Sequence, residues 1–580
     1  MEEGKKSDLQ EALLLCKKSF MTAGFFSLFI NFLMLVPAIY MLQLYDRVIT
    51  SGSESTLLML TLIVLVLFIT MGLLEWARSQ ILVRVGARLE TLLSERLYGA
   101  AFKQALNSGG AKASSQPIDD LTGLRQFLTG NGLFAFFDAP WLPIYIAVLF
   151  MFHFSYGVMA IITVIILAVL AVLNEKMTGS TLKKANEQAI VARGLINKNL
   201  RNAEVVESMG MLEGIRTRWK EGAQQVLVLQ ARASTHAGAI TSVSKTFRML
   251  AQSLILGLGA YLALQQEITP GLMIAGSILL GRALAPIDLM ISSWKGFVAA
   301  RGQYERLNDI LLKIPDDQER MSLPAPSGAL DVNGVMVAPP GTRTPVVKGV
   351  SFKLNAGESL GIIGPSAAGK STLARALLGV WPTLSGKVRL DGVDVFDWDR
   401  KQLGPYVGYL PQDIELFDGT IAENIARFSE LNSGKVIDAA KIADVHETIL
   451  SLPQGYDTVI GSTGGVLSGG QRQRIGLARA VFGEPKLVLL DEPNSNLDNR
   501  GEQALAKALR TLKVKGVTVI VITHRPSVLN ELDKVLLMKG GVVNAFGPRS
   551  KVLQELNKQA AASQPRTKKA AIPITAPPVL

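Results

Sequence analysis

The sequence predicts a two-part chain, an all-α membrane domain of six spanning helices fused to an α/β domain built around a phosphate-binding loop. Three observations predict it. Long uncharged apolar runs crowd the region before residue 295 and are absent after it. A glycine-rich loop at Gly364–Ser371 sits between a strand-like and a helix-like segment. The composition is too apolar for a soluble enzyme of 580 residues, with 48% hydrophobic and 19% charged residues and a mean hydropathy of +0.29.

A helix needs about 20 apolar residues to cross the hydrocarbon of a bilayer. Ser19 to Tyr45 and Ser55 to Leu74 carry no charged side chain and read as spans one and two. Ala139 to Asn174 is also uncharged and too long for one span, and His153, Ser155 and Gly157 mark a turn inside it, so it reads as a hairpin of spans three and four. Met249 to Gln266 and Pro270 to about Trp294 supply spans five and six. Only the last contains charges, Arg282 and Asp288. Arg282 near its middle is a candidate for a polar translocation path, with Asp288 or Asp138 as the neutralising partner in the structural alternative.

Long polar segments with helical periodicity, Trp76 to Leu106 and Glu175 to Thr235, follow spans two and four. They hold Arg78, Arg84, Arg88, Arg96, Lys183, Lys184, Arg193 and Arg201, whereas the opposite loops offer only Arg47. The positive-inside bias puts these segments and both termini in the cytoplasm. Their turns, expected around Pro117–Arg125 and Glu207–Ile215, are candidate coupling helices. Residues 1–18 read as a cytoplasmic segment and not as a cleavable signal. The membrane domain is expected over 19–322, the α/β domain over 323–559 and a disordered tail over 560–580. The charge of +12 lies largely beside apolar runs, without interleaved aromatics, which argues against nucleic acid. A single cysteine, Cys16, excludes an internal disulfide and a Cys-rich zinc site.

Gly364, Pro365, Ser366, Ala367, Ala368, Gly369, Lys370 and Ser371, followed by Thr372, form a phosphate loop between the apolar Leu360–Ile363 and a helical segment. Backbone N–H groups can cradle ATP phosphates, Lys370 can reach the terminal oxygens, and the Ser371 hydroxyl suits Mg2+. The run Leu487 to Glu492 is a buried strand ending in two acids, Asp491 for the Mg2+ shell and Glu492 for the base that polarises water.

Between them stands Leu467-Ser468-Gly469-Gly470-Gln471. It resembles the signature sequence of ABC ATPases, and further elements match in order. Gln412 resembles the Q-loop glutamine, expected at ATP and Mg2+. Asn496-Leu497-Asp498 resembles the D-loop, and His524 after the strand Val517–Thr523 the switch histidine. The resemblance implies the ABC exporter fold (type I, also termed type IV) and ATP hydrolysis by Glu492 and His524. It also implies a composite site in which Ser468, Gly469, Gly470 and Gln471 act on the nucleotide of a second chain, so a homodimer is expected. A heterodimer stays open. Two departures stand out. Pro339 lies where many family members stack adenine on tyrosine, with no aromatic from Asp331 to Val350, and Ser462 stands where exporters tend to have glutamate.

Phe136 to Ile144 and Leu44 to Val48 resemble patterns of type I secretion ABC transporters, and the short N-terminus fits the PrtD-like protein-exporter branch, which lacks a peptidase domain. This implies export of polypeptides with uncleaved C-terminal signals across the inner membrane, with a periplasmic adaptor and an outer-membrane channel. An exporter of lipids or small molecules is the alternative. A membrane regulator that binds ATP without hydrolysis is a third reading, opposed by Glu492 and His524.

Overall fold

A computed structural model describes residues 6–110, 113–200, 202–316, 322–461, 467–495 and 497–563. The chain divides into one unit of Met1–Ala105 with Lys112–Asp316 and a second of Leu106–Ala111 with Asp317–Leu580. The sequence expectations for Arg201, Ser462, Asn496 and the tail beyond residue 563 lie outside the described residues.

The first unit is all helical. A short α1 (Asp8–Leu15) precedes α2 (Lys17–Leu33) and α3 (Val36–Gln43), which continue through a π-turn at Leu44–Ile49. Then come α4 (Glu54–Asn107), α5 (Gln116–Thr129), α6 (Asn131–Asp138), α7 (Leu142–Phe152), α8 (Phe154–Leu200), α9 (Ala203–Ser208), α10 (Leu212–Leu264) and α11 (Pro270–Lys313). Among the described residues six helices are long and apolar enough to cross a membrane, and they fall on the six predicted runs. The most apolar window of α4 buries none of its residues within the protein, as expected of a surface whose solvent is lipid. At 1.5 Å per residue, the 54 residues of α4 run about 80 Å, more than twice the hydrocarbon thickness.

Proline explains the breaks in spans one and three. Pro37 at the start of α3 removes a helical donor and ends α2 near Met34. Pro140 and Pro143 likewise confine Ala139–Trp141 to a 3-10 turn between α6 and α7. The predicted hairpin turn narrows to His153, extended between α7 and α8, and its Nε2 lies 3.1 Å from Glu267 Oε2 in the next loop on that side.

Where the span-three helix breaks, a polar cluster closes the bundle. Asp138 accepts from Arg78 Nη1 at 3.1 Å and from Asn31 Nδ2 at 2.8 Å. Arg78 Nη1 also donates to Ser27 Oγ at 2.8 Å, and its guanidinium stacks 4.2 Å from the Phe134 ring centroid. The Tyr145 hydroxyl donates to the Asn31 carbonyl at 2.8 Å. Five helices meet here, α2, α4 and α6 with α7 through Tyr145, and α11 alongside α6. On the opposite side of the span the other motif of span one does similar work. Asp46 accepts from Gly271 N at 2.9 Å and from the Thr269 hydroxyl, capping the N-terminus of α11. A Cβ at position 271 would lie 2.6 Å from the Asp46 carboxylate, so only glycine lets the cap close. Deeper in the core Tyr156 fills the space left by Gly259 and Gly276, which lets α8, α10 and α11 approach closely.

One expectation is corrected and one refined. Neither proposed partner is free for Arg282. Asp138 is held by Arg78, and Asp288 by Arg248 of the adjacent helix, with Nε to Oδ2 at 2.7 Å. Arg282 itself is exposed and has no ion pair among the described residues. The segment Pro117–Arg125, expected as a coupling helix at a turn, is helical as the body of the longer α5, because Leu121 and Leu124 bury an apolar face and Asp120 pairs bidentately with Arg306 of α11, so the turn itself lies before Gln116. Glu207–Ile215 does contain a turn, formed by Gly210 at φ +63°.

Among the described residues the second unit contains twelve strands. β1 (Leu330–Val337), β2 (Val347–Leu354), β4 (Ser385–Leu390) and β5 (Val393–Asp394) make an antiparallel sheet in the order β2-β1-β4-β5. β3 (Ser359–Ile363), β6 (Val407–Leu410), β9 (Leu487–Asp491), β10 (Thr518–Ile522), β11 (Lys534–Lys539) and β12 (Val542–Pro548) form a six-stranded sheet ordered β12-β11-β3-β10-β9-β6. β7 (Gly419–Thr420) pairs with β8 (Val459–Ile460). All strands of the larger sheet except β12 run parallel, and β3, β9 and β10 are buried along their whole length. That is why they read as continuous apolar runs and not as alternating ones.

The Arg78–Asp138 pair yields a test. Arg78 and Asp138 keep only 6% and 15% of side-chain exposure, so Asp138→Ala strands a buried guanidinium and is expected to cost about 3–5 kcal/mol. A melting curve of the detergent-solubilised protein measures it. The double variant Arg78→Met with Asp138→Ala should recover part of the loss, and no recovery would show that the charge pairing is not what holds this corner.

Candidate nucleotide site

Four neighbouring parallel strands end at one level, and each delivers one motif. The register pairs Ile362 with Ile522, Ile522 with Asp491, and Leu490 with Leu410. The loop after β3, the acids closing β9, the histidine after β10 and the glutamine after β6 therefore emerge side by side. Ligands of open parallel sheets bind at this carboxyl edge.

The phosphate loop requires unusual backbone. Gly364 has φ +153°, and a Cβ there would meet the Met538 carbonyl oxygen at 2.1 Å. Gly369 has φ +92° and opens the helix Lys370–Leu377. Ala367, at φ +63°, is strained in the same turn. The Lys370 ammonium folds back onto the loop, donating to the carbonyls of Gly364 at 2.8 Å and Pro365 at 3.1 Å. Burial pushes its pKa down, and Glu492 and Asp491 oppose that shift. Pro365, Ser366, Ala368 and Thr372 belong to the same loop and first helical turn.

Asp491 is 2% exposed. Burial raises its carboxyl above the ordinary 3.8, a hydrogen bond from Ser371 lowers it, and Glu492 raises it further. Its Oδ1 is buried and has no hydrogen-bond partner. A desolvated carboxylate oxygen with an open lone pair, beside a serine hydroxyl, fits a hard cation with oxygen ligands such as Mg2+.

Glu492 lies between two further motif residues. Gln412 Nε2 donates to its Oε2 at 3.3 Å, and His524 Nε2 stands 3.8 Å from its Oε1. Its backbone N–H donates to the Ile522 carbonyl at 2.9 Å, and its φ of +48° is left-handed, which costs a non-glycine residue about 1–3 kcal/mol.

The structure thus gathers Lys370, Ser371, Gln412, Asp491, Glu492 and His524. The hydrogen bonds of the signature are local instead. Ser468 caps the helix Gly469–Val481, its Oγ accepting from Gln471 N at 3.3 Å while Gln471 Oε1 accepts from Ser468 N at 2.8 Å. Gly469 and Gly470 follow in the first turn, where helical N–H groups have no intrahelical acceptor. Asp498 caps the helix Asn499–Val514, accepting from Gly501 N at 2.8 Å. At the adenine end Pro339 opens a turn in which Thr342 N and Oγ1 donate to its carbonyl at 3.0 and 2.9 Å.

Sequence reasoning passed over Gln473, which is 2% exposed and bonded to Pro493 and Ser495, and Asn494, which accepts from Thr523. Helical phase is the signal that could have found Gln473, since it lies three residues before Gly476 and four before Leu477 on the buried face.

The burial of Asp491 gives a prediction. A carboxyl raised by burial stabilises the fold while protonated and loses that contribution as pH rises through its folded pKa, so ionised Asp491 is a liability at neutral pH. Asp491→Asn is expected to raise the melting temperature of nucleotide-free protein at pH 7 and to abolish Mg2+-dependent ATP hydrolysis. A lowered melting temperature would contradict the desolvation argument.

Comparisons with known proteins follow this geometry. The family description "ABC transporter" matches residues 347–495, and "ABC transporter transmembrane region" matches residues 20–284. The chain is 44% identical over 96% of its length, and 95% of the relative's, to the "Type I secretion system ATP-binding protein PrsD" of Rhizobium meliloti (strain 1021). It is 28% identical to the "Cyclolysin secretion/processing ATP-binding protein CyaB" of Bordetella pertussis, over 91% of this chain and 75% of that one. It is 27% identical to the "Leukotoxin translocation ATP-binding protein LktB" of Pasteurella haemolytica-like sp., over 94% and 78%. A bacterial Atm1-family ABC exporter solved with ATP bound has the same fold, with a TM-score of 0.80 at 22% identity, covering 95% of this chain and 99% of that one. The chain belongs to the type I secretion ATP-binding proteins, a family of ABC transporters.

Proposed function

We propose that this chain is the ATP-hydrolysing, membrane-spanning half of a homodimeric exporter. It moves polypeptides with uncleaved C-terminal signals across the inner membrane, as the ABC component of a type I secretion system with a periplasmic adaptor and an outer-membrane channel. The observation that carries this reading is the 44% identity to a type I secretion ATP-binding protein along nearly the full length of both chains. Residues 19–322 would be the transmembrane domain and 323–559 the cytoplasmic ATPase.

The chemistry follows from the sheet edge. Loop N–H groups and Lys370 bind the ATP phosphates, which requires the ammonium to exchange the Gly364 and Pro365 carbonyls for phosphate oxygens. Ser371, Asp491 and Gln412 would hold Mg2+, which neutralises phosphate charge when bound. Glu492 orients and polarises the attacking water, with His524 on one side of its carboxylate and Gln412 on the other. Ser468, Gly469, Gly470 and Gln471 complete the opposite face of a second chain's site with free helix N-terminal N–H groups, and Asp498 borders that junction. Closure on ATP and reopening after hydrolysis would drive the membrane helices between two states. Arg282, without an ion pair among the described residues, would line the polypeptide path, where water or cargo would serve in place of a counter-ion.

Two measurements test the reading. Glu492→Gln is expected to retain ATP binding and to lose about 10²–10³ in single-turnover hydrolysis, whereas an undiminished rate removes Glu492 from the role of base. In nanodiscs, a polypeptide ending in a secretion signal should stimulate the wild-type ATPase, and the same polypeptide without its C-terminal segment should not. Stimulation by lipids or lipophilic drugs alone would instead place the chain among small-molecule exporters.

A further inference from the structure

One buried side chain joins the signature helix to the loop that carries Glu492. Gln473 lies in the second turn of Gly469–Val481, and its Nε2 donates to the Pro493 carbonyl at 2.5 Å and to Ser495 Oγ at 3.4 Å. Pro493 to Ser495 follows Glu492 directly. The other side of that segment is held by Asn494, 7% exposed, whose Oδ1 accepts from Thr523 Oγ1 at 3.2 Å. Thr523 precedes His524. The loop is therefore clamped between two side chains, one from the helix that begins with the signature and one from the strand end that carries the histidine.

The clamp matters because Glu492 is left-handed at φ +48°. A non-glycine residue stays in that region only where its surroundings over-determine it. The helix is stiff enough to act as a lever. Its first turn is locked by the reciprocal Ser468–Gln471 cap, and Ile475, Leu477 and Ala478 are buried. Gln473 sits five residues from Ser468, about 7.5 Å along the axis. A shift of the signature end therefore reaches the Pro493 carbonyl through one rigid element and one hydrogen bond. Positional errors of about 1 Å at a reacting group cost on the order of 10²-fold in rate.

We propose that Gln473 is a positioning residue through which the signature of a chain sets the attitude of that same chain's Glu492, so that closure of Ser468–Gly470 on the nucleotide of a second chain readies the first chain's own base. The two ATP sites of a dimer are then coupled by a path that lies inside each subunit. This rests on the two-chain site proposed above.

Mixed dimers in which one chain carries Glu492→Gln leave a single working base and test the path. Gln473→Leu in the chain with intact Glu492 is expected to lower turnover about tenfold at unchanged ATP affinity. The same substitution in the Glu492→Gln chain should leave turnover within about twofold. Equal losses in both placements would reduce Gln473 to a core-filling residue and overturn the proposal, as would no loss in either. If Gln473→Leu does not fold, Gln473→Glu keeps the side-chain length, replaces the donor by an acceptor, and is read in the same way. The underlying two-chain site has its own control. Ser468→Arg in the Glu492→Gln chain should abolish turnover by the other chain's base, and full activity there would overturn the two-chain site whatever Gln473 does.

Discussion

The register of four parallel strands is the constraint on which the site depends. Because Leu410 stands beside Leu490, and Asp491 beside Ile522, which in turn stands beside Ile362, the motif residues at and just beyond these strand ends must meet. No side-chain interaction assembles Lys370, Asp491, Glu492, His524 and Gln412 from a distance. Their strands do so by hydrogen-bonding in phase, and the buried valines, isoleucines and leucines enforce that phase, since slipping one strand would misalign its motif with the others. The local costs, a left-handed Glu492 and a desolvated Asp491, are borne by a core whose central strands are wholly buried.

The membrane unit obeys a different rule. Lipid offers no partner to a polar group, so every charge near the spans must find one within the protein or face water. Asp138 does so with Arg78 and Asn31, Asp46 with the N-terminus of α11, and Asp288 with Arg248. Two of these acids lie in the very sequence patterns that resemble secretion transporters. Their geometry gives the patterns a physical meaning. Proline interrupts span three at Ala139–Trp141, and the interruption is where a buried ion pair and a tyrosine hydroxyl tie the helices together.

Most of this was legible in the order of residues. Apolar run length located six helices because the bilayer sets a minimum length, and glycine in the phosphate loop announced a backbone that other residues cannot adopt. What was misplaced depends on contacts between helices. The turn was placed at Pro117–Arg125, where Pro117 in fact only opens the helix α5 and Asp120 turns inward to reach Arg306. Asp288 and Asp138 were the candidate partners of Arg282, while the pairings Arg78–Asp138 and Arg248–Asp288 join different helices, which no order of residues displays. Gln473 was hidden for a related reason. In a run of glutamine and arginine only helical phase separates the one side chain that turns inward.

What the chain leaves unmet points to its functional state. The signature glycines open a helix whose first N–H groups have no backbone acceptor within the helix, and the polar side chains around them, Ser468 and Gln471, are already committed to one another. Arg282 stands exposed on α11 with no counter-ion among the described residues, and Asp288, six residues on, is taken by Arg248. An unsatisfied helix end is cheap in water, whereas an unpaired guanidinium in a membrane span is not. In the homodimer proposed above, a second copy would meet both needs, with phosphate at the signature and a wet passage beside α11, so the ATP site and the path for cargo would become complete in a single assembly step.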